Sequence, residues 1–382
     1  MVDSERHRDM ACGDRVERRR QWCTRWAAAA VALALVGSLR LDSESAMAAK
    51  LDIVVPAYFY PSGGSDWSKL NAAAAKVPLT AIMNPGNGPG NNVDANYTSV
   101  VNSLRAAGGH VIGYVYSSYG ARSLSVVLND VNKYDTFYNV DGIFVDEMAN
   151  TGPAQRLDYY KSIYEHVKSI DANWEVMGNP GTNTIEQFFN WPAAGELTAD
   201  RLMVFENVGT AYPSYTPSEW NYDYDRSGFV HLVHTEPSAA NMLAHLQRAI
   251  SNNSGGIYVT DDVLNNPWDR VPTYWTALVE AVATINADYN SDGVVNAGDY
   301  SVWRDSLGMT GKSLAADGNG DGVVDDKDYA HWRNYFGATA GGGAGGAATM
   351  RGVAVPEPAS FGLVACVIAI VAPVVRARRF AL

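Results

Sequence analysis

A (β/α)8 barrel is the fold the sequence predicts, and three observations predict it. Apolar runs of strand length recur eight times between residues 51 and 262, segments with helical spacing alternate with them, and two of the runs end in carboxylates. The runs are Leu51–Pro61, Thr80–Pro85, His110–Tyr116, Val140–Met148, Trp174–Pro180, Arg201–Asn207, Gly228–Thr235 and Gly255–Asp262. The clearest is the fourth, where Val140-Asp141-Gly142-Ile143-Phe144-Val145 reads as a strand buried on both faces and stops at Asp146-Glu147. Burying an unpaired carboxylate costs several kcal/mol, so these two acids belong where the strand emerges. A strand-end acid pair also caps a following helix, and that plainer use stays open. The sixth run repeats the pattern, Arg201-Leu202-Met203-Val204-Phe205 ending in Glu206.

Between the runs, helical spacing is clearest at Asn96–Ala107, Ala154–Ile170, Ser238–Ile250 and Trp268–Ile285. Leu157, Tyr160, Ile163, Tyr164 and Val167 fall on one face, as a helix laid over a sheet requires. A doubly wound open sheet is the main rival, but no Gly-rich dinucleotide fingerprint follows any run. In a barrel all eight strand ends share one mouth, which would gather Tyr58, Tyr60, Asn84, Tyr114, Tyr116, Asp146, Glu147, Asn179, Glu206, Asn207, His234, Asp261 and Asp262. Carboxylates cut glycosidic bonds, amides hold hydroxyls and aromatic faces stack on sugar rings. We therefore expect Asp146, Glu147 and Glu206 to be catalytic, and Tyr58, Tyr60, Asn84, Tyr116, Asn179, His234 and Asp261 to bind substrate. Taken singly, the tyrosines also read as core, Asn84 and Asn179 as turn formers before proline, and His234 as a structural histidine. The paired acids need no cofactor: Glu206 is the candidate general acid/base, Asp146 the nucleophile or base, and Glu147 a charge that raises a neighbour's pKa or binds the sugar. A carboxylate separation of about 5 Å implies retention of configuration, and roughly 6.5–9.5 Å inversion.

Composition sets the surroundings. Of 382 residues, 18% are charged and 47% hydrophobic, as in a globular protein with a sizeable core. Residues 51–350 carry 16 Lys/Arg against 33 Asp/Glu, a net of −17 that repels nucleic acid and anionic surfaces and suits cationic partners. Cys12, Cys23 and Cys366 all lie outside this body, which excludes disulfides, thiolate metal sites and a Cys nucleophile from it.

The ends read as targeting segments. Arg15, Arg18, Arg19, Arg20 and Arg25 lead into the apolar stretch Trp26–Leu39 and then Ser45-Ala46-Met47-Ala48-Ala49, the order of a secretory signal peptide over 1–49. At the other end Val355-Pro356-Glu357-Pro358 precedes an apolar run over Ala359–Val375 and the basic Arg376-Ala377-Arg378-Arg379. That run can just span a bilayer, with the arginines inside. The order over 355–382 resembles the PEP-CTERM sorting signal, which implies transient membrane anchoring through one transmembrane helix, a sorting and processing machinery as partner, and a cell-surface or secreted destination. Residues 338–354, rich in Gly and Ala, read as a linker.

Residues 288–337 form a separate small unit. Asp288, Asn290, Asp292, Val294, Asn296 and Asp299 occupy positions 1, 3, 5, 7, 9 and 12 of an EF-hand-like loop, and Asp317, Asn319, Asp321, Val323, Asp325 and Asp328 repeat it 29 residues on. Gly293 and Gly322 stand at position 6, and position 7 offers its backbone carbonyl. Aspartate at position 12 is a shorter arm than the usual glutamate. The unit resembles a type I dockerin, which implies two Ca2+ sites, an all-α fold and a cohesin-type partner; a calcium-stabilised spacer is the rival use.

The body at 50–287 resembles a family as well. Val55-Pro56-Ala57-Tyr58-Phe59-Tyr60-Pro61, Asn84-Pro85-Gly86-Asn87-Gly88-Pro89-Gly90, Gly113-Tyr114-Val115-Tyr116, the Asp141–Glu147 run and Val204-Phe205-Glu206 resemble the spherulin 4 family. The resemblance implies a (β/α)8 glycoside hydrolase, endo-acting on an α-1,4-linked galactosamine or N-acetylgalactosamine polymer, with Asp146, Glu147 and Glu206 as functional acids. The alternative is a barrel that binds surface polysaccharide without cutting it, anchored through the dockerin-like unit.

Overall fold

The computed structural model of the chain describes residues 50–340, Gly64 apart. The expected signal peptide (1–49), the expected sorting segment (355–382) and most of the Gly/Ala-rich segment 338–354 lie outside the described residues, and among the described residues no helix is long and apolar enough to cross a membrane.

Eight strands close into a barrel in sequence order: β1 Asp52–Ala57, β2 Leu79–Met83, β3 His110–Tyr116, β4 Gly142–Asp146, β5 Glu175–Gly178, β6 Arg201–Val208, β7 Phe229–His234 and β8 Gly256–Val259. Every pairing is parallel, and the ring shuts where Asp52 and Ile53 face Gly256 and Ile257. Strand interiors such as Val54, Val55, Ile143, Phe144 and Val204 are fully covered, which is why the strands read as continuous apolar runs instead of alternating ones. Each of the eight runs overlaps one strand, with β2 starting one residue before its run and β6 ending one residue after its own. The β6–β7 ladder slips between Met203 and Phe205, leaving Val204 as the extra residue. A bulge of this kind re-aims the side chains that follow, here Glu206.

Helices α1 Trp67–Ala74, α2 Ala95–Ala106, α3 Leu124–Phe137, α4 Ala154–Ile170, α5 Ala239–Ser251 and α6 Trp275–Ala287 wrap the barrel. Their faces follow the sequence: Leu157, Tyr160, Ile163 and Val167 of α4 are buried. Asp94 and Ser238 cap α2 and α5 by accepting from the backbone N–H of Asn96 and Asn241. The expectation of a helix after every strand fails twice. Only 3-10 turns follow β5 and β6, in segments broken by Pro180, Pro192, Pro213 and Pro217, where a ring without an N–H cannot continue a helix. The last barrel helix begins at Trp275, not Trp268, because Pro267 and Pro272 interrupt the earlier part.

Two further helices, α7 Ala297–Ser306 and α8 Asp326–Tyr335, follow α6 with no spacer. They enclose a small core of their own built on Tyr289, Val295, Trp303, Val324 and Trp332. This unit is packed against the barrel end where the strands begin, opposite the mouth. His331 Nε2 bonds the Ala283 carbonyl at 2.9 Å, Tyr335 donates to Glu280 at 2.9 Å, and the second loop rests its Gly320 against Pro78. Beside that contact lies a cavity of about 900 Å³ lined by Asp52, Arg105, Glu175 and Arg201 of the barrel floor and by Asp321 and Lys327.

The tightest backbone approach in the barrel is at Gly142, where β4 starts: a Cβ there would overlap the Glu175 backbone with which it pairs. Gly142→Ala is therefore expected to cost about 1–3 kcal/mol through overpacking, and a calorimetric scan should show the barrel transition lowered by several degrees.

Candidate active site

Closure of the barrel brings the ends of β4, β5 and β6 side by side. Asp146 is the last residue of β4, opposite Tyr116 in the β3–β4 register, and Glu206 lies just past the β6 bulge. Asn179, directly after β5, stands between them. Its Nδ2 donates to Asp146 Oδ1 at 2.8 Å and to Glu206 Oε2 at 2.7 Å. The two accepting oxygens are thus separated by no more than the two bonds laid end to end, about 5.5 Å, and by about 5 Å if the N–H bonds diverge as those of a planar amide do.

The acids differ in what surrounds them. Burial pushes the Glu206 carboxyl up to about 7, the charge on Asp146 adds to this, and the Asn179 bond opposes it. Burial also raises Asp146, while the nearby Glu147 backbone N–H, the Tyr114 phenol and the Asn179 amide, the last bonded to it, oppose the rise; the Glu147 charge is a smaller raising influence. Burial raises both carboxyls, and more polar groups oppose the rise at Asp146 than at Glu206, an arrangement that tends to part the two acids in protonation. Burial and the Asp146 charge hold the Tyr58 and Tyr114 phenols well above the ordinary tyrosine range, so both are hydrogen-bond donors, and their rings meet edge to face at 5.7 Å.

Glu147 is held in a left-handed backbone conformation, φ 49°, uncommon for a residue with a side chain. Its carbonyl accepts from Ser117 Oγ at 2.8 Å and Tyr119 N at 2.7 Å, and Tyr160 supports this turn by bonding both Ser117 Oγ and the Ala149 N–H. Such strain persists only where neighbours over-determine it, and it clusters at functional sites.

The other residues singled out from sequence are spread around the mouth. Tyr116 lies under the Arg122 guanidinium, 3.9 Å from the ring centre. Tyr60 is half exposed and turned to the start of α2, bonded to Asp94 and Asn96. Asn84 accepts from Gly88 N at 2.9 Å and so closes the Pro85–Gly90 turn. His234 is buried edge-on to Trp268, bonds Thr235 Oγ1 at 2.9 Å, and is kept neutral by burial. Asp261 pairs with Arg270 at 2.8 Å and with Thr273; burial alone would raise it, but these bonds hold it below the usual carboxylate range. Tyr114 is the contact to the acids absent from the expected site residues. Its signal lay in the strand period, since it points to the same side as Tyr116, two residues on.

In the small unit, the position-12 aspartates do two jobs that their short arms permit. Asp299 accepts from the backbone of Asn290 and of Asn296, Asp328 does the same for Gly318 and Asp325, and each closes a capping box with the position-9 residue at the start of α7 or α8. The donor sets fit a hard cation: all oxygen, with Asp288 raised chiefly by burial and also by the charge on Asp299, and Asp328 raised up to about 6 chiefly by burial and also by the charge on Asp317. A divalent ion in each loop would relieve that repulsion.

A closed parallel barrel whose mouth holds two carboxylates joined through one amide, followed by a small two-loop helical unit, defines a two-part protein of the barrel-plus-module class. The barrel assigns it further. The model of spherulation-specific family 4 matches residues 52–282, and the chain belongs to that family; a dockerin type I domain follows at 286–337. Spherulin-4 of Physarum polycephalum is 32% identical over 252 residues, covering 62% of this chain and 71% of the relative. The crystal structure of Aspergillus clavatus Sph3 in complex with GalNAc superposes with a TM-score of 0.54 at 24% identity, over 62% of this chain and 98% of Sph3.

Two measurements check the electrostatics. A carboxyl raised in the folded state stabilises the fold below its unfolded pKa of 4.5, and that stability is lost as pH rises toward about 7. Glu206→Gln should remove this loss, so its melting temperature is expected to overtake that of the wild type between pH 5 and pH 8 by a margin worth about 3 kcal/mol. Chelation with EDTA should lower the melting of the small unit, followed by near-ultraviolet dichroism of Trp303 and Trp332, and added Ca2+ should restore it; an unchanged spectrum would mean that the loops hold no metal.

Proposed function

We propose that this chain is a retaining glycoside hydrolase acting on a polysaccharide that contains N-acetylgalactosamine or galactosamine. The observation that carries the proposal is the placement of Asp146 and Glu206 on either side of one amide, whose two bonds bring their nearest oxygens within about 5.5 Å, near the separation that double displacement uses and short of the roughly 6.5–9.5 Å of inversion. Asp146 Oδ attacks the anomeric carbon as Glu206 gives its proton to the departing glycosidic oxygen, leaving a glycosyl ester on Asp146. The Glu206 carboxylate then takes a proton from water, the water oxygen attacks the same carbon, and the ester bond to Asp146 breaks. The raised Glu206 suits the proton donor, and the Asn179 bond with the nearby Glu147 N–H and Tyr114 phenol suits Asp146 as the ionised nucleophile. Tyr58 and Tyr114 stand beside the acids as phenols able to donate to the sugar or the nucleophile. The sugar class is supported by membership of the family and by the GalNAc bound to Sph3.

The small unit would bind one Ca2+ in each loop through the six positions named above, which supplies the oxygen ligation that orders α7 and α8, and would dock a cohesin-type module. With an export signal at 1–49 and a sorting segment at 355–382, the enzyme would work at the cell surface, its mouth turned away from the end that carries the dockerin unit.

Proton NMR of the first product released from an N-acetylgalactosamine polymer should show the anomeric configuration of the substrate. Asp146→Asn and Glu206→Gln should each cut kcat at least about 10³-fold with polymer binding intact, and Glu206→Gln should abolish the alkaline limb of the pH profile near 7. Binding without product from the wild type across a panel of amino-sugar polymers would leave a lectin-like barrel instead.

A further inference from the structure

We propose that Asn179 is a positioning residue and not a sugar contact: its single carboxamide, on a turn stitched to both acid-bearing strands, sets the separation and orientation of Asp146 and Glu206. The proposal rests on the hydrolase reading above and assigns the third member of its machinery. The first support is an inventory of the amide. A carboxamide has two N–H donors, and both are committed, one to each acid. Its oxygen, Oδ1, is buried and has no hydrogen-bond partner among the described residues, and the residue as a whole is only 7% exposed. No donor is left for a sugar hydroxyl, and the acceptor is covered. Turning the amide over would set that oxygen against two carboxylates, so the acids themselves fix its orientation.

The second support is the backbone. Asn179 N donates to the Val145 carbonyl and its own carbonyl accepts from Met148 N, both at 2.9 Å, which ties the turn to β4 before and after Asp146-Glu147. Two residues on, Gly181 N donates to the Met203 carbonyl at 3.1 Å and the Gly181 carbonyl accepts from Glu206 N at 3.0 Å, which ties the same turn to β6 on both sides of the bulge. Gly181 takes φ +66°, a conformation that admits this double attachment without a Cβ penalty. Four backbone bonds therefore locate one side chain relative to two strands, and that side chain locates both acids. A residue that only bound sugar would need none of them.

The arrangement serves both halves of a double displacement. While Asp146 is ionised and Glu206 protonated, one N–H steadies the nucleophile and the other holds the carbonyl oxygen of the acid. Once Asp146 is esterified and Glu206 has lost its proton, the same donor stabilises the new carboxylate.

The test is Asn179→Ala, with Asn179→Ser as the second variant should the first not fold, each in the full chain with folding checked by circular dichroism. Removing a donor from a carboxylate raises its pKa. The Glu206 carboxyl, followed by carbon-13 NMR of side-chain-labelled glutamate and assigned by its absence in Glu206→Gln, should titrate about one unit higher than in the wild type, a tenfold gain in proton affinity. In hydrolysis, both limbs of the pH profile should move to higher pH, with kcat down about 10–100-fold and KM changed less than about twofold. An unmoved Glu206 titration would overturn the proposal, as would a raised KM with kcat and the pH profile intact, the signature of a sugar contact. A wild type that releases no product would count against the hydrolase reading alone, and the NMR titration would still decide the role of Asn179.

Discussion

Closure of the eight-stranded ring is the constraint on which everything else rests. In an open parallel sheet the ends of β4 and β6 would be neighbours only through the plane of the sheet; closed, they rise around a common axis, and β5 between them carries the amide that meets both. Parallel strands satisfy their backbone polar groups only through adjacent strands, so the short contact of Asp52 and Ile53 with Gly256 and Ile257 removes the last free edge and makes the mouth a fixed rim. The apolar interior then leaves the strand ends as the place where a charged side chain can stand.

Within that rim the chemistry is decided by small differences in solvation. Asp146 and Glu206 lie within one amide's reach, and both are pushed toward the neutral form by burial. The difference is in the polar groups that oppose it: the Glu147 backbone N–H and the Tyr114 phenol stand near Asp146 besides the shared amide, which acts alone at Glu206. Two identical functional groups are thus shifted by different amounts by their neighbours, the kind of difference that acid-base chemistry uses. Two other acids of the barrel are treated differently: buried Glu236 is bonded by His245 and Asn241, and partly buried Asp52 by Arg201 and Thr80.

The dockerin unit adds a directional element. It follows α6 without a spacer, and His331, Tyr335 and the second loop press on α6 and on Pro78 at the barrel's closed end. Whatever that unit holds, the mouth faces the other way. The second loop is also a structural neighbour of the barrel floor, so its order and that of the floor are joined.

The eight strands were legible in the sequence because a strand buried on both faces must be apolar throughout, and no other element in a chain of this length repeats that way. The acids ending two of them were legible for the converse reason, that an ionisable group cannot remain inside such a strand. The oxygen ligands of the two loops were equally open to view, since their spacing is local. The missing helices after β5 and β6 were less so: the prolines that break them are visible, but length alone suggested full repeats. What only the tertiary structure decided is which strand ends meet. Tyr60, Asn84 and Asp261 stand at strand ends like Asn179, yet each finds a nearer partner in Asp94, Gly88 or Arg270, while Asn179 finds two acids on strands 33 and 27 residues away. Local pattern fixes what a residue is able to do; the curvature of the closed barrel chooses the groups it does it with.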